Sequence, residues 1–360
     1  MTNDQMLKLL ERLVSFRTDE SEGEQVEFLR KTAEGFGATV RTEEVLPGRF
    51  NFYAEFAGRL PGKTVALEAH GDTVPGDQPF RYDSVSRLVY GRGACDTKAS
   101  LAAMLAAAVR AFRAGTVRGT VQVVSTCREE TGGEGARAFA ASSPRPDMTV
   151  VGEPTGLEIV RANKGAWRTR LTARGVAAHS SAPRDGRNAI VLMCEVVRAL
   201  EAEFVPFLES IRNPVLGSPT MSVGTIRGGN VVNIVPEECS IEIDWRLVPE
   251  SAAEEIMDRL RRRFPEIDIE EYEFYPPFYE SDGSEILERM ERAVRAATGA
   301  PAVLRGAPWA ANAGIVQRAA GFSCVVFGPG DIARAHTANE YVPWRQVELA
   351  ADIYQRFLED

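Results

Sequence analysis

Residues 64–72 read TVALEAHGD: an almost unbroken apolar run, 64–69, passes directly into His70, Gly71 and Asp72. A strand with one wet face alternates apolar and polar residues, whereas a strand covered on both faces reads as a continuous apolar run. Two further runs share this character, TVQVVST at 120–126 and MTVV at 148–151, and SCVVF at 323–327 is a fourth. Between the first two lies 97–115, a long Ala- and Leu-rich helical stretch that closes on Gly115, a residue suited to the left-handed conformation that ends helices. Amphipathic helices follow at 284–298 and 344–358. Buried strands interleaved with helices specify an α/β fold with a mostly parallel sheet covered by helices.

The middle of the chain has a different rhythm. AWRTRLTA (166–173), TMSVGTI (220–226) and CSIEIDWRL (239–247) alternate, DIEEYEF (268–274) is a last strand, and 188–204 and 251–264 carry helical patterns. The order βαββαβ predicts a split-βαβ, ferredoxin-like α+β unit with its helices on one face of the sheet. Polar joints with Gly and Pro near 163–165 and 275–277 set the boundaries: an α/β domain from 1–164 and 275–360, interrupted by an insert at 165–274.

Composition narrows the function. A chain of 360 residues with 44% hydrophobic and 26% charged residues has ample material for a core. Its 51 acids against 42 bases give a formal charge of −9 with no Lys/Arg-rich run, which argues against nucleic-acid and anionic-membrane partners. No apolar stretch approaches the roughly 18 residues of a membrane helix, and the N-terminus lacks the features of a signal peptide. Cysteines 95, 127, 194, 239 and 324 form no CxxC pair, so neither a disulfide framework nor a thiolate zinc site is expected, and a cytoplasmic location is.

The chemistry gathers just beyond the buried strands. His70-Gly71-Asp72 follows the first, Glu129-Glu130-Thr131-Gly132-Gly133 the second, Gly152-Glu153-Pro154 the third, and Gly328-Pro329-Gly330, then His336, the fourth. Gly91-Arg92-Gly93-Ala94-Cys95-Asp96 opens the long helix. In a parallel sheet the carboxyl ends of the strands form one rim, where ligands bind. His70, Asp96, Glu129, Glu130, Glu153 and His336 could therefore converge, an inventory of imidazoles and carboxylates suited to a metal. Taken singly, each motif has an ordinary reading as a solvated turn or a satisfied histidine. Jointly they are harder to dismiss, because two of the three histidines lie beyond strand ends that also collect acids.

Together AHGDTVP, GRGACDTK, REETGGEGA, VGEPTG, AHSSAP and AHTANEY resemble the zinc-dependent amidohydrolases and exopeptidases related to acetylornithine deacetylase, succinyl-diaminopimelate desuccinylase and glutamate carboxypeptidase. The resemblance covers nearly the whole chain and implies two Zn²⁺ ions, with Co²⁺ or Mn²⁺ as substitutes. Asp96 would bridge them, His70 and Glu153 would complete one site, and Glu130 and His336 the other. Asp72 would accept the His70 ring N–H, and Glu129 would be the general base for a water between the ions. The resemblance makes the insert a dimerisation domain, hence a homodimer, and has His179 polarise the scissile carbonyl. Asn233 and Arg246 match positions that bind substrate amide and carboxylate. Arg246 also has the plainer reading of an outward strand residue, and Lys98 and Arg92 read as structural.

Relatives read Asp-Met-Lys-Gly where this chain has Asp96-Thr97-Lys98-Ala99-Ser100, and many carry an acid near Asn312, a segment expected to face the substrate cleft. Neither departure removes a ligand. Cys95, HSSAPRDGRNAI and NIVPEECSIEIDWRLVP lean toward the acetylornithine deacetylase branch. The expected activity is hydrolysis of a small N-acyl amino acid, with N-acetylornithine as a candidate. A dipeptidase, a carboxypeptidase or a succinyl-diaminopimelate-type desuccinylase would use the same site. A catalytically silent binding protein is the remaining alternative, and the intact set of ligands and base speaks against it.

Overall fold

The computed structural model describes residues 1–360, and they form two compact units. Met1–Arg161, Glu280–Arg305 and Ala311–Asp360 make the first, and Ala162–Tyr279 with Gly306–Ala310 the second. The short segment Gly306–Ala310 lies outside the expected insert, 165–274. It belongs with the second unit because Lys164 N–H donates to the Ala307 carbonyl at 3.0 Å.

At the centre of the first unit are four parallel strands in the order Arg118–Thr126, Leu60–His70, Met148–Val151, Ser323–Val326. The antiparallel hairpin Thr39–Leu46 and Arg49–Ala57 extends one side, and Ile159–Asn163 runs antiparallel on the other. This is the mixed, centrally parallel α/β sheet that the continuous apolar runs predict. The four central strands end at one edge, so Cys127–Glu130, Gly71–Asp72, Gly152–Glu153 and the chain after Phe327 all open on one rim.

Helix Ala99–Ala114 lies against this sheet and against the closing helix Trp344–Glu359. Every side chain from Ala99 to Val109 is buried, and its alanines let the neighbouring backbones approach closely. It starts two residues later than the expected 97. Asp96 (φ −119°, ψ 89°) and Thr97 (φ −132°, ψ 25°) are non-helical, which leaves Asp96 on the rim. Lys98, fully buried, donates to the carbonyls of Leu13 and Phe16 at 2.9 and 2.8 Å, a structural tether to helix Asn3–Ser15.

The second unit is an antiparallel sheet in the order Thr220–Gly228, Glu238–Leu247, Gly165–Arg174, Ile267–Tyr275. Period-two alternation splits its faces. Trp167, Leu171, Ile241, Ile243 and Trp245 pack on Met193 and Val196 of helix Ala189–Ala199 and on Ile256 and Leu260 of helix Ala253–Arg263. The opposite face carries Arg168, Arg170 and Arg174, ion-paired across the strands with Asp244, Glu273, Glu242, Glu270, Glu238 and Asp268. Such exposed pairs contribute about 0–1 kcal/mol each, so the unit rests on its apolar face. The single helix expected over 188–204 instead ends at Ala199, widens through Leu200–Phe204 and continues as Val205–Ser210. Pro206 has no N–H to give, and Val205 N–H reaches back five residues to the Leu200 carbonyl. No helix of the chain is long and apolar enough to cross a membrane.

Candidate metal centre

His70 is the last residue of its strand, and its Nε2 lies 3.0 Å from Asp96 Oδ1. The other carboxylate oxygen, Asp96 Oδ2, lies 3.2 Å from His336 Nε2, and the same nitrogen lies 3.0 Å from Glu130 Oε1. Asp96 thus turns one oxygen toward each imidazole. A ligating atom from each of His70, Asp96 and Glu130 falls within a 4.8 Å group. Glu153, buried, follows strand Met148–Val151 on the same rim.

The loops that carry these groups are held in unusual conformations. Arg128, just before Glu129, has φ 58°, and His336 has φ 61°. Left-handed backbone in a residue with a side chain costs on the order of 1–3 kcal/mol and persists where the surroundings impose it. At the Glu129 loop the imposing group is Asp72. Its carboxylate oxygens accept the N–H of Glu129 at 3.0 Å and of Glu130 at 3.1 Å. The carboxylate expected against the His70 ring makes the longer of two Asp72 contacts with it. His70 Nδ1 meets the backbone carbonyl of Asp72 at 3.0 Å, and the Asp72 Oδ1 stands off at 3.6 Å. The carbonyl makes the shorter contact with Nδ1 and so orients the ring, leaving Nε2 for the rim.

The electrostatics mark a site built for cations. Burial pushes the Glu129 carboxyl well above the usual range, and burial with the charges of Asp96 and Glu129 does the same to Glu153. Burial also disfavours charge on Asp96, but His336 and His70 outweigh it and hold the carboxyl below its ordinary value. Burial works against a charged His70, yet Asp96 raises it well above an ordinary imidazole. Asp96 and Glu130 raise His336 to about 10. Imidazole protons here stand where metal charge would stand, and ligation would release them. Two imidazole nitrogens and several buried carboxylates on one rim fit a divalent N/O-ligated ion.

The second unit places its three expected residues as follows. His179 and Asn233 are both exposed and adjacent, since strand Ala178–His179 pairs with Ile234–Val235 and Ser180 N–H donates to the Asn233 carbonyl at 3.1 Å. Ser181 N–H donates to His179 Nδ1 at 3.2 Å, with Ser181 Oγ at 2.7 Å from the same atom. Because a backbone amide can only donate, Nδ1 is the acceptor and a neutral His179 carries its proton on Nε2. Arg246 lies on the charged face of the sheet, its Nε 2.7 Å from Asp244 Oδ1.

Asn312 corrects an expectation. Rather than facing a cleft it is buried in the first unit, where its Nδ2 donates to Glu68 Oε1 at 3.0 Å and to Thr126 Oγ1 at 3.1 Å. Two residues not singled out from the sequence also make contacts at these sites: Ser181, and Glu340, which accepts the amides of Cys95 and Asp96. They stand two and four residues beyond His179 and His336, inside motifs quoted above, and that spacing was the available signal.

The family model described as Peptidase family M20/M25/M40 matches residues 66–360. An acetylornithine deacetylase of Myxococcus xanthus is 32% identical over 312 residues, covering 82% of this chain and 80% of that protein. One of Proteus mirabilis (strain HI4320) is 28% identical over 371 residues, covering 96% and 91%. A tripeptidase structure from Staphylococcus aureus subsp. aureus Mu50 superposes with a TM-score of 0.85 at 20% identity, covering 100% of this chain and 98% of that one. That likeness shows the fold alone.

Proposed function

The chain belongs to peptidase family M20/M25/M40 and is an amide-bond hydrolase, and we propose that it cleaves a small N-acyl amino acid, with N-acetylornithine the first candidate, at a centre of two zinc ions. The observation that carries this reading is the Asp96 carboxylate, with one oxygen toward His70 and the other toward His336. His70 and Glu153 would hold one ion, Glu130 and His336 the other, and Asp96 both. Zinc suits this donor set, and cobalt or manganese would substitute. Bound there, the ions would polarise the amide carbonyl and lower the proton affinity of a water.

The remaining work falls to the chain. Glu129, adjacent to Glu130 and with its carboxyl shifted toward proton uptake by burial, takes the proton of the attacking water and returns it to the leaving nitrogen. His179 donates its Nε2 proton in a hydrogen bond to the carbonyl oxygen as negative charge develops there. Asn233 orients the substrate amide, and Arg246 offers its fork to the substrate carboxylate. On this reading the first unit is the catalytic domain, and the second, close to the expected 165–274, joins two chains into a homodimer.

His179→Ala is expected to lower kcat by about 10²–10³-fold with little change in KM, as loss of an oxyanion donor does. Ser181→Ala, which removes the Oγ contact but keeps the backbone amide on Nδ1 and hence the tautomer, should lower kcat by a smaller factor in the same direction. Steady-state kinetics checks both; a rise in KM alone would make His179 a binding residue.

The substrate reading is tested by amine release from N-acetylornithine, other N-acetyl amino acids, N-succinyl-diaminopimelate and dipeptides, with and without chelator and added zinc. Chelator-sensitive cleavage, fastest on an N-acetyl amino acid, is the expected result. Fastest cleavage of a dipeptide replaces the deacetylase with a dipeptidase at the same site. No cleavage and no bound metal would leave a binding protein.

A further inference from the structure

Glu340 is the acid of AHTANEY, four residues beyond His336, and it is 1% exposed. Its carboxylate is directed away from any ligand role. Oε1 accepts the N–H of Cys95 at 2.9 Å and of Asp96 at 3.1 Å, and Oε2 accepts from Arg92 Nη1 at 2.6 Å. Its backbone is pinned as well. Glu340 N–H donates to Gln78 Oε1 at 3.0 Å, and its carbonyl accepts from Gln78 Nε2 at 2.8 Å and from Gly91 N–H at 3.3 Å. The segment that ends in Asp96 is thereby fastened to the segment that begins with His336.

Within the 91–96 loop one backbone bond, Ala94 N–H to the Gly91 carbonyl at 3.0 Å, closes a turn, and the Cys95 and Asp96 amides turn to an acceptor outside it. Gly91 (φ 150°) and Gly93 (φ 79°) adopt backbone that side chains disfavour. A Cβ at Gly91 would fall 2.4 Å from Val14 Cγ1, and one at Gly93 2.7 Å from Thr73 Cγ2. Asp96 and Thr97 are non-helical, so the Cys95 and Asp96 amides lie ahead of the regular helix. Their acceptor is Glu340, whose charge Arg92 meets from the other side.

We infer that Glu340 is a positioning residue of the metal centre: it fixes the Asp96 loop before any ion arrives and ties the position of Asp96 to that of His336. The inference rests on the two-metal reading above and requires no contact between Glu340 and ion or substrate. Outer partners that orient ligands typically change metal affinity by about 10–100-fold when lost.

The test uses the full chain, stripped of metal and titrated with cobalt against a chromophoric chelator while the visible cobalt absorption is recorded. Glu340→Gln is expected to weaken cobalt binding by about 10–100-fold and to alter the absorption band. Met290→Ala, a cavity in the buried face of helix Glu285–Thr298, should lose thermal stability with affinity and band unchanged. Wild-type affinity and an unaltered band in Glu340→Gln overturn the inference, and so does an equal loss of affinity in Met290→Ala. If Glu340→Gln does not fold, Arg92→Met is read in the same way. Amide exchange of the metal-free wild type supplies a further check. Slow exchange at Cys95 and Asp96 supports a loop fixed in advance, whereas protection that appears only after cobalt is added overturns it. A wild-type chain that takes up neither cobalt nor zinc overturns this inference together with the reading beneath it; an effect absent only from the variants overturns this inference alone.

Discussion

Glu129→Gln is expected to lower kcat by about 10²–10⁴-fold, the contribution of a positioned general base, while two metal ions per chain are retained and KM changes little. Glutamine keeps the shape of glutamate and can still meet a water, but it cannot take a proton. The loop should survive the change, because what holds it is the Glu129 and Glu130 backbone amides on the Asp72 carboxylate, at 3.0 and 3.1 Å. Glu130, whose carboxylate lies 3.0 Å from His336 Nε2, is left in place to ligate. Steady-state kinetics paired with elemental analysis of the purified variant reads both quantities. Loss of one ion would make Glu129 a ligand, and unchanged turnover would remove it as the base.

How much of this could be read from letters alone depends on whether the information lay in side chains or in backbone groups. The four central strands are buried on both faces, so each leaves a continuous apolar run. The hairpin beside them does not. Thr39–Leu46 is an edge strand with no buried residue, and Arg49–Ala57 is interrupted by Arg49 and Asn51. Both polar residues are nevertheless buried, Arg49 ion-paired with Glu22 and Asn51 bonded to the Cys127 amide and the Gly135 carbonyl. Those partners lie 27, 76 and 84 positions away, beyond any local pattern. The candidate ligands were legible because each stands at a strand end or helix entry and is chemically distinctive. The division of labour around them was not. A backbone carbonyl orients His70, backbone amides occupy Asp72 and Glu340, and none of these groups has a letter. Asn312 was misplaced for a similar reason: an amide in a cleft and one completing a buried cluster with Glu68 and Thr126 are the same residue in sequence.

The largest effect is expected at Asp96. If one carboxylate serves two ions, its removal should empty both sites, whereas losing a terminal ligand should weaken one. Asp96→Ala is therefore expected to purify with close to no metal and to show no turnover above background, and His336→Ala to keep about one ion per chain with a small residual rate. The geometry makes Asp96 the asymmetric member of the set. Its oxygens lie 3.0 Å from His70 Nε2 and 3.2 Å from His336 Nε2, while Glu130 Oε1 is paired with His336. Its removal would also leave buried His70 without the carboxylate that lies against its Nε2, so folding must be checked beside metal content. Circular dichroism and thermal unfolding of the metal-free proteins serve that purpose, since the wild type stripped of metal is the proper reference for both variants. Inductively coupled plasma analysis after equilibration with limiting zinc then gives the stoichiometries. A folded Asp96→Ala that still holds one ion tightly would mean that the two imidazoles do not share a bridging ligand. His336→Ala that retains its full metal content would remove His336 from the ligand set.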